Sequence, residues 1–331
     1  MSTPHPTKHD PNAKFDMNRP MVRVVRSFFR RFPRLHWWLT FLPRLTIGQV
    51  QLLYARLRGL GRSLYALDHS KLKTSDTVFI MATGTSINAY DQHRWDVIDS
   101  HDSIGLNFFL LHEHVPTYYV MENQHEIHRD LLAAKHEDHQ NTPLILSAQL
   151  GNMSFRRFTD RMNRVALNPP QVRQRIHYSF DLLPAGNRQD EMTSAYRMFD
   201  RIGLWSVKRR FKVLTKRRGS IAHLVNLAVR IGYRRIVLCG VDLNHPGYFY
   251  DARREEFEAM GLRVPPNTQT GAVHDTNDPA VKEVTIKHVM LAINDVILAP
   301  RGIELFVGDR SSDLHPELDE FPWDEGPRQD G

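Results

Sequence analysis

Cysteine is all but missing from this chain. A lone Cys239 excludes an intrachain disulfide, which suits a reducing compartment. Acidic residues are missing altogether between Arg19 and Arg62, a span that carries ten arginines. Long apolar runs are missing too. The longest near the N-terminus, 35–43, falls well short of the roughly 20 residues that cross a bilayer. The sequence shows no secretory signal with a charged start, apolar centre and small-residue cleavage site. No HExxH occurs, and no D-x-D between 70 and 310, so neither a zinc-protease site nor a nucleotide-sugar metal is expected. No repeat or low-complexity tract interrupts the chain.

What remains is ordinary for a soluble globular protein of 331 residues, long enough for one large core with appendages. The net charge of +7 belongs to the 19–62 stretch, and the rest is slightly acidic, most of all 309–331. Residues 1–18 are polar and Pro-rich and are expected to be disordered. In 19–62, Arg alternates with Val, Phe, Trp and Leu. Such an element can lie in an anionic membrane interface, or it can pack on the main domain with its arginines solvated. Nucleic acid is not expected, because no recognition motif accompanies the charge and Pro33 and Pro43 should interrupt a long helix.

The stretch 219–251 organises the remainder. Ile221, Leu224, Val225, Ala228 and Val229 recur at helical spacing. Ser220 stands where an N-cap belongs, and Gly232 where a left-handed C-terminal residue is needed. The run 236–239 predicts a buried parallel strand that stops at Gly240-Val241-Asp242. Ligands in open α/β sheets bind beyond such strand ends, which singles out Asp242.

Further strands are expected at 78–82, running into Thr83-Gly84-Thr85-Ser86, at 103–106 ending on Asn107, at 117–121 ending on Glu122-Asn123, and at 144–148 and 303–307. Helices are expected over 127–135, 155–165, part of 191–210, 255–260 and 279–298. Alternating strands and helices predict an α/β fold with a doubly wound, largely parallel sheet. The glycine turn at Gly84 offers backbone N–H groups to an anion. Asn107 and Asn123 supply paired donor and acceptor edges that suit a base or a sugar, though each could equally close a turn. The long, weakly periodic 244–273 reads as a lid, and His274 closes it. His112 and His114 flank Glu113 on an expected surface loop with no metal-ligand pattern.

In order and spacing, these residues resemble the bacterial sialyltransferases of glycosyltransferase family 42, which build lipooligosaccharide caps. The resemblance spans about 77–310 and rests on Ala82-Thr83-Gly84-Thr85-Ser86, Asn107, Asn123, Arg217 to Ser220, Gly232-Tyr233 to Gly240-Val241-Asp242, Tyr248 and Tyr250, and His274-Asp275-Thr276-Asn277. Two positions depart from the family: Thr83 replaces an asparagine, and Asn244 falls where the first of two phosphate-binding tyrosines is expected. The second tyrosine matches Tyr248, with Tyr250 as a substitute.

The resemblance implies a Rossmann-like, GT-A-type variant for the catalytic domain expected at 74–310, and leaves unexplained the basic arm at 1–73 and the acidic tail at 311–331. It implies transfer of sialic acid, or a related acid sugar, from a CMP-sugar to a glycan or lipooligosaccharide hydroxyl, with inversion and without a metal or other cofactor. His274 would be the base, with Tyr248 and Tyr250 on the leaving phosphate. Thr83, Gly84, Thr85, Ser86, Asn107, Asn123 and Asn244 would line the nucleotide site. Ser220 with the first-turn amides would take the sugar carboxylate. Arg217 would face acceptor or carboxylate, and Asp242 a ribose, a lid residue or merely the strand end. The expected location is cytoplasmic, peripheral on the inner membrane face, with a homo-oligomer left open. The same sheet also occurs in flagellin-glycosylation factors and an archaeal-type pterin pyrophosphokinase, so a non-catalytic scaffold or a Mg²⁺-dependent pyrophosphokinase is the alternative.

Overall fold

The computed structural model describes residues 33–122, 126–147, 150, 154–182, 188–207, 213–269, 271, 273–280 and 284–324. The expectations for 1–32 and for Asn123 lie outside them. The chain falls into two compact units, Met1–Thr46 and Ile47–Gly331. Helix α1 (Pro33–Leu57) begins in the first unit and ends in the second. Contrary to expectation, Pro43 does not break it, and Pro33 stands at its start. Pro33 occupies the first helical position, where a missing N–H costs nothing. Pro43 lies inside the helix but on its exposed side, so its ring displaces no packed neighbour. Among the described residues, no helix is long and apolar enough to cross a membrane.

The second unit is built on one sheet. In chain order its elements are β1 (Arg62–Ser63), β2 (Thr77–Met81), α2 (Gln92–Asp99), β3 (Asp102–Leu106), β4 (Tyr118–Met121), α3 (Glu126–Ala134) and β5 (Leu144–Ser147). Then come α4 (Phe155–Ala166), α5 (Pro170–Gln174), β6 (Ile176–Leu182), α6 (Gln189–Arg201), β7 (Val213–Thr215), α7 (Ile221–Ile231) and β8 (Arg235–Cys239). Helices α8 (Arg254–Ala259) and α9 (Ile286–Ile293) and strand β9 (Glu304–Val307) complete it. The nine strands among the described residues run in the order β1-β6-β5-β4-β3-β2-β8-β9, with β7 joined to β6 beside this path. Every pairing between these strands is parallel. The fold is therefore α/β, a doubly wound parallel sheet of Rossmann type.

Burial explains why the strands read as they do. All five residues of β2 and the last four of β8 are inaccessible, as strands covered on both faces must be. Their register places Ile80 beside Leu238 and Met81 beside Cys239. Helix α7 ends as its sequence predicts, with Gly232 at φ 102°. Ser220 departs from expectation: it precedes α7 in a helical conformation, and its side chain makes no cap bond.

The expected 279–298 helix starts later, at Ile286, because Thr285 caps it through a reciprocal bond with His288. Its last turn widens to a π-type turn at Asn294–Leu298. His112 is buried, contrary to the surface-loop expectation, and stacks between Trp95 at 4.5 Å and Phe109 at 5.0 Å. Beyond β9, Phe321 and Trp323 pack against Phe79 of β2 at 5.2 and 5.7 Å.

Candidate functional site

The chain winds outward from β2 through β3 and β4 on one side, and resumes through β8 and β9 on the other. The strand order reverses between β2 and β8, where an open α/β sheet leaves its ligand crevice. A cleft of about 330 Å³ opens there, at the C-terminal strand ends. Two glycines let the crevice form. The Gly84 N–H donates to the Gly240 carbonyl at 2.8 Å. A Cβ on Gly84 would lie 2.6 Å from both that carbonyl and the Asp242 carboxylate. Gly240 has φ 67°, which L side chains rarely adopt.

Asp242 latches this turn. Its carboxylate accepts from the Ser86 hydroxyl at 2.5 Å, the Ser86 N–H at 3.0 Å and the Thr85 hydroxyl at 3.1 Å. Thr83, Gly84 and Asp242 line the cleft, whereas Thr85 and Ser86 are bonded to the Asp242 carboxylate and do not line it. Backbone strain gathers at the same rim. The non-glycine residues Asn107, Arg218 and Leu243 have φ of 49°, 62° and 64°. Such conformations persist where surrounding contacts over-determine them. Asn107 shows those contacts: its carbonyl accepts from the Tyr119 hydroxyl, and its Oδ1 from the Glu122 N–H at 3.0 Å.

Glu122, which the sequence reading passed over, is the electrostatic centre. Its Oε1 accepts from the Ser220 hydroxyl and pairs with Lys216 Nζ at 2.5 Å. Burial raises its carboxyl pKa, but the Lys216 ammonium and the Ser220 hydroxyl outweigh this, so the net shift is downward. Its carbonyl also accepts from Arg161 of α4. Deeper in, Lys216 reaches Ser147 at 3.5 Å, and Ser147 donates to Asp181. Asp181 lies 3.4 Å from His223, whose burial holds the imidazole below its ordinary pKa. The Ser220 hydroxyl is thus given to Glu122 rather than to a helix cap.

The opposite wall comes from the segment after β8. Gly84 pairs with Tyr248 across an antiparallel bridge, and the Phe249 N–H donates to the Thr83 carbonyl at 2.9 Å. The Tyr248 and Tyr250 rings stack at 5.1 Å. Burial raises the pKa of both phenols, which keeps them protonated donors. His274 also lines the cleft, 6.3 Å from the Tyr248 ring. Its N–H donates to the Leu243 carbonyl at 3.2 Å. Its Nδ1 lies 2.9 Å from the Thr276 hydroxyl and 3.3 Å from the Thr276 N–H. Burial lowers its pKa against the opposing pull of Asp275, so the ring is neutral at pH 7.

The structure therefore brings Thr83, Gly84, Asn107, Ser220, Asp242, Tyr248, Tyr250 and His274 to one cleft. Asn244 is exposed and donates to the Ser311 carbonyl at 2.7 Å, away from it. Arg217 stands half-buried in a bridge with Gly219 and does not line it. Lys216 read only as one of a basic trio, and the signal that could have found it was its position directly after a Val-Leu-Thr run.

The fold defines the class as an α/β protein with a switch-point crevice. Neither a protein-family model nor a curated protein matches the chain. Two solved structures are similar to it. The monofunctional alpha-2,3-sialyltransferase Cst-I from Campylobacter jejuni is 13% identical over 75% of this chain and 81% of its own, with a TM-score of 0.42. The sialyltransferase CstII from the same organism, in complex with a substrate analogue, cytidine-5'-monophosphate, is 15% identical over 76% of this chain and 86% of its own, with a TM-score of 0.41.

Proposed function

We propose that this chain is a sialyltransferase-like glycosyltransferase that moves an acidic sugar from a CMP-sugar to a glycan hydroxyl, with inversion and without a metal. The observation that carries the reading is the meeting of a neutral imidazole, two protonated phenols and the Gly84 turn around one crevice. A sugar hydroxyl is a weak nucleophile, and a neutral imidazole can take its proton as attack proceeds. The Thr276 N–H donates to His274 Nδ1 at 3.3 Å, so Nε2 takes the proton only in the other tautomer, in which Nδ1–H gives up that bond and donates to the Thr276 hydroxyl. The new bond forms at the anomeric carbon as the bond to the CMP phosphate oxygen breaks. The electron pair leaves with that oxygen, and the Tyr248 and Tyr250 hydroxyls donate to it.

The nucleotide would lie on the Thr83-Gly84 turn and the Asn107 edge, and the acid sugar near Ser220. Because Ser220 already donates to Glu122, its hydroxyl meets a ligand as an acceptor unless Glu122 lets go. We further propose that the acceptor is carried at a membrane, which the chain meets as a peripheral protein through its basic N-terminal region.

The decisive experiment is release of CMP from CMP-sialic acid by purified protein, with and without a glycan acceptor. No binding or turnover with any CMP-sugar would remove the proposal. His274→Ala should cut transfer by about 10²–10⁴-fold. A fall of less than about tenfold would mean that another group takes the proton.

A further inference from the structure

Away from the crevice, a second concavity of about 690 Å³ lies among the C-terminal half of α1, the turn into β1 and α5. Leu52, Leu53, Arg56, Arg62 and Arg173 line it, and among the described residues no Asp or Glu does. Arg56 and Arg62 are exposed and Arg173 half-buried, with the buried Arg173 Nε finding no partner among the described residues. The groove is thus a built cationic site, contributed by segments more than a hundred residues apart in sequence.

An apolar stripe adjoins it. Ile47, Val50, Leu53 and Leu57 recur at a spacing of three or four and are 44%, 54%, 55% and 78% exposed. The opposite face of the same helix is buried through Gln51, Leu52 and Ala55. Leu53 belongs to both stripe and groove. Helix α1 therefore has one face on the core, one flank on a cationic groove and one apolar face in water. Contiguous exposed apolar side chains beside a cationic rim mark a binding surface. A free phosphate would satisfy the arginines but leave the stripe wet. An anionic bilayer meets both, because its phosphates lie just above its acyl boundary.

We propose that this face seats on a bilayer of anionic phospholipid, with Arg56, Arg62 and Arg173 taking headgroup phosphates while Ile47, Val50, Leu53 and Leu57 enter the headgroup–acyl boundary. The inference rests on the membrane part of the proposed function. It goes beyond that part by assigning contact to a groove of the folded unit that includes Arg173.

The test is co-sedimentation of the full chain with vesicles of phosphatidylglycerol in phosphatidylcholine, and with phosphatidylcholine alone. Wild type should bind the anionic vesicles, and binding should weaken with salt. R56E/R62E, at two exposed positions, should lower partitioning by at least about tenfold, since each basic residue near such a surface contributes roughly fivefold. L53D/L57D should lower it as well. Arg173→Gln tests the buried wall of the groove, with a thermal melt to show that the variant folds. Wild type that ignores anionic vesicles would sink both the membrane reading and this inference. Wild type that binds while all three variants bind equally well would sink the groove alone and leave the N-terminal arginines as the contact. Protection of the groove by inorganic phosphate without vesicle binding, or loss of self-association in L53D/L57D, would also overturn it.

Discussion

Removing the Glu122 carboxylate leaves the Lys216 ammonium stranded. The two lie 2.5 Å apart, with side chains 26% and 10% exposed. At an effective dielectric of about 20, Coulomb's law puts their attraction near 6–7 kcal/mol. Desolvation of two partly buried ions takes back more than half of that, and the exposed part of Glu122 is screened. A net coupling of about 2 kcal/mol is the expected remainder. Glu122→Ala alone should cost about 3–5 kcal/mol, because it strands a buried cation and also frees the Ser220 hydroxyl. Lys216→Met should cost less, since Glu122 keeps Ser220. The double variant should cost about 2 kcal/mol less than the two single costs added together.

Urea unfolding of the four proteins gives the cycle, and a coupling below about 0.5 kcal/mol would refute the electrostatic account. The pH dependence supplies an independent check. The Glu122 pKa is depressed in the fold. The coupling should therefore be complete above the unfolded carboxyl value, about 4.3, and vanish as pH falls through the lower folded value.

Other outcomes follow from the same geometry. Gly84→Ala would press a methyl group to 2.6 Å from a backbone carbonyl and from Asp242. It should cost about 1–3 kcal/mol by thermal melt, and a loss under about 0.5 would mean the switch point can open freely. His112 and His139 are each held at about 4 by burial. Both are neutral in the fold, while the unfolded chain gains their protons below about 6.5. Stability should thus be full above about pH 6.5 and fall toward pH 4, by at most about 3 kcal/mol for each histidine; a urea midpoint unchanged from pH 7 to 5 would contradict this. Tyr248→Phe removes one phenolic donor from the crevice. It should slow transfer by about 10²–10³-fold with the melting temperature nearly unchanged, whereas full activity would take Tyr248 out of the reaction.

How far the sequence is legible depends on whether a strand's neighbours resemble it. Strands β2, β3, β4, β5, β8 and β9 sit within a residue or so of the apolar runs that announce them. Strand β6 was invisible although all seven of its residues are buried. Ile176, Tyr178, Phe180 and Leu182 alternate with His177, Ser179 and Asp181, a pattern that normally marks a half-exposed strand. Here part of the polar alternation is satisfied inside the protein, since Asp181 accepts from Ser147 and Ser179 and faces His223. Periodicity reports polarity, and only tertiary partners decide whether polarity means solvent. The two residues of β1 and the three of β7 are too short to leave any period at all.

The same distinction governs the cleft. Gly84, Asn107, Ser220 and Asp242 were legible because each follows or precedes an element whose end is written in local sequence. Their partners were not. Lys216, Arg217 and Arg218 look alike as a charge run, which is usually a solvated face. Yet Lys216 is buried on Glu122, Arg217 is half-buried, and Arg218 takes a left-handed backbone conformation. What separates them is the end of β7, a strand paired with β6 and tied to α7 by the Thr215 N–H, which donates to Asn226 Oδ1 at 2.8 Å. An unread strand thus hides its own buried lysine, and that lysine fixes how Ser220 meets a ligand. With Glu122 holding the Ser220 hydroxyl, the crevice presents an acceptor where a family-based reading expects a donor. A carboxylate-bearing sugar must then either displace Glu122 from both Ser220 and Lys216, or rely on the first-turn amides of α7. Ser220→Ala separates these routes. It should weaken binding of an acid-sugar nucleotide several-fold if Glu122 lets go, and leave it unchanged if the amides suffice.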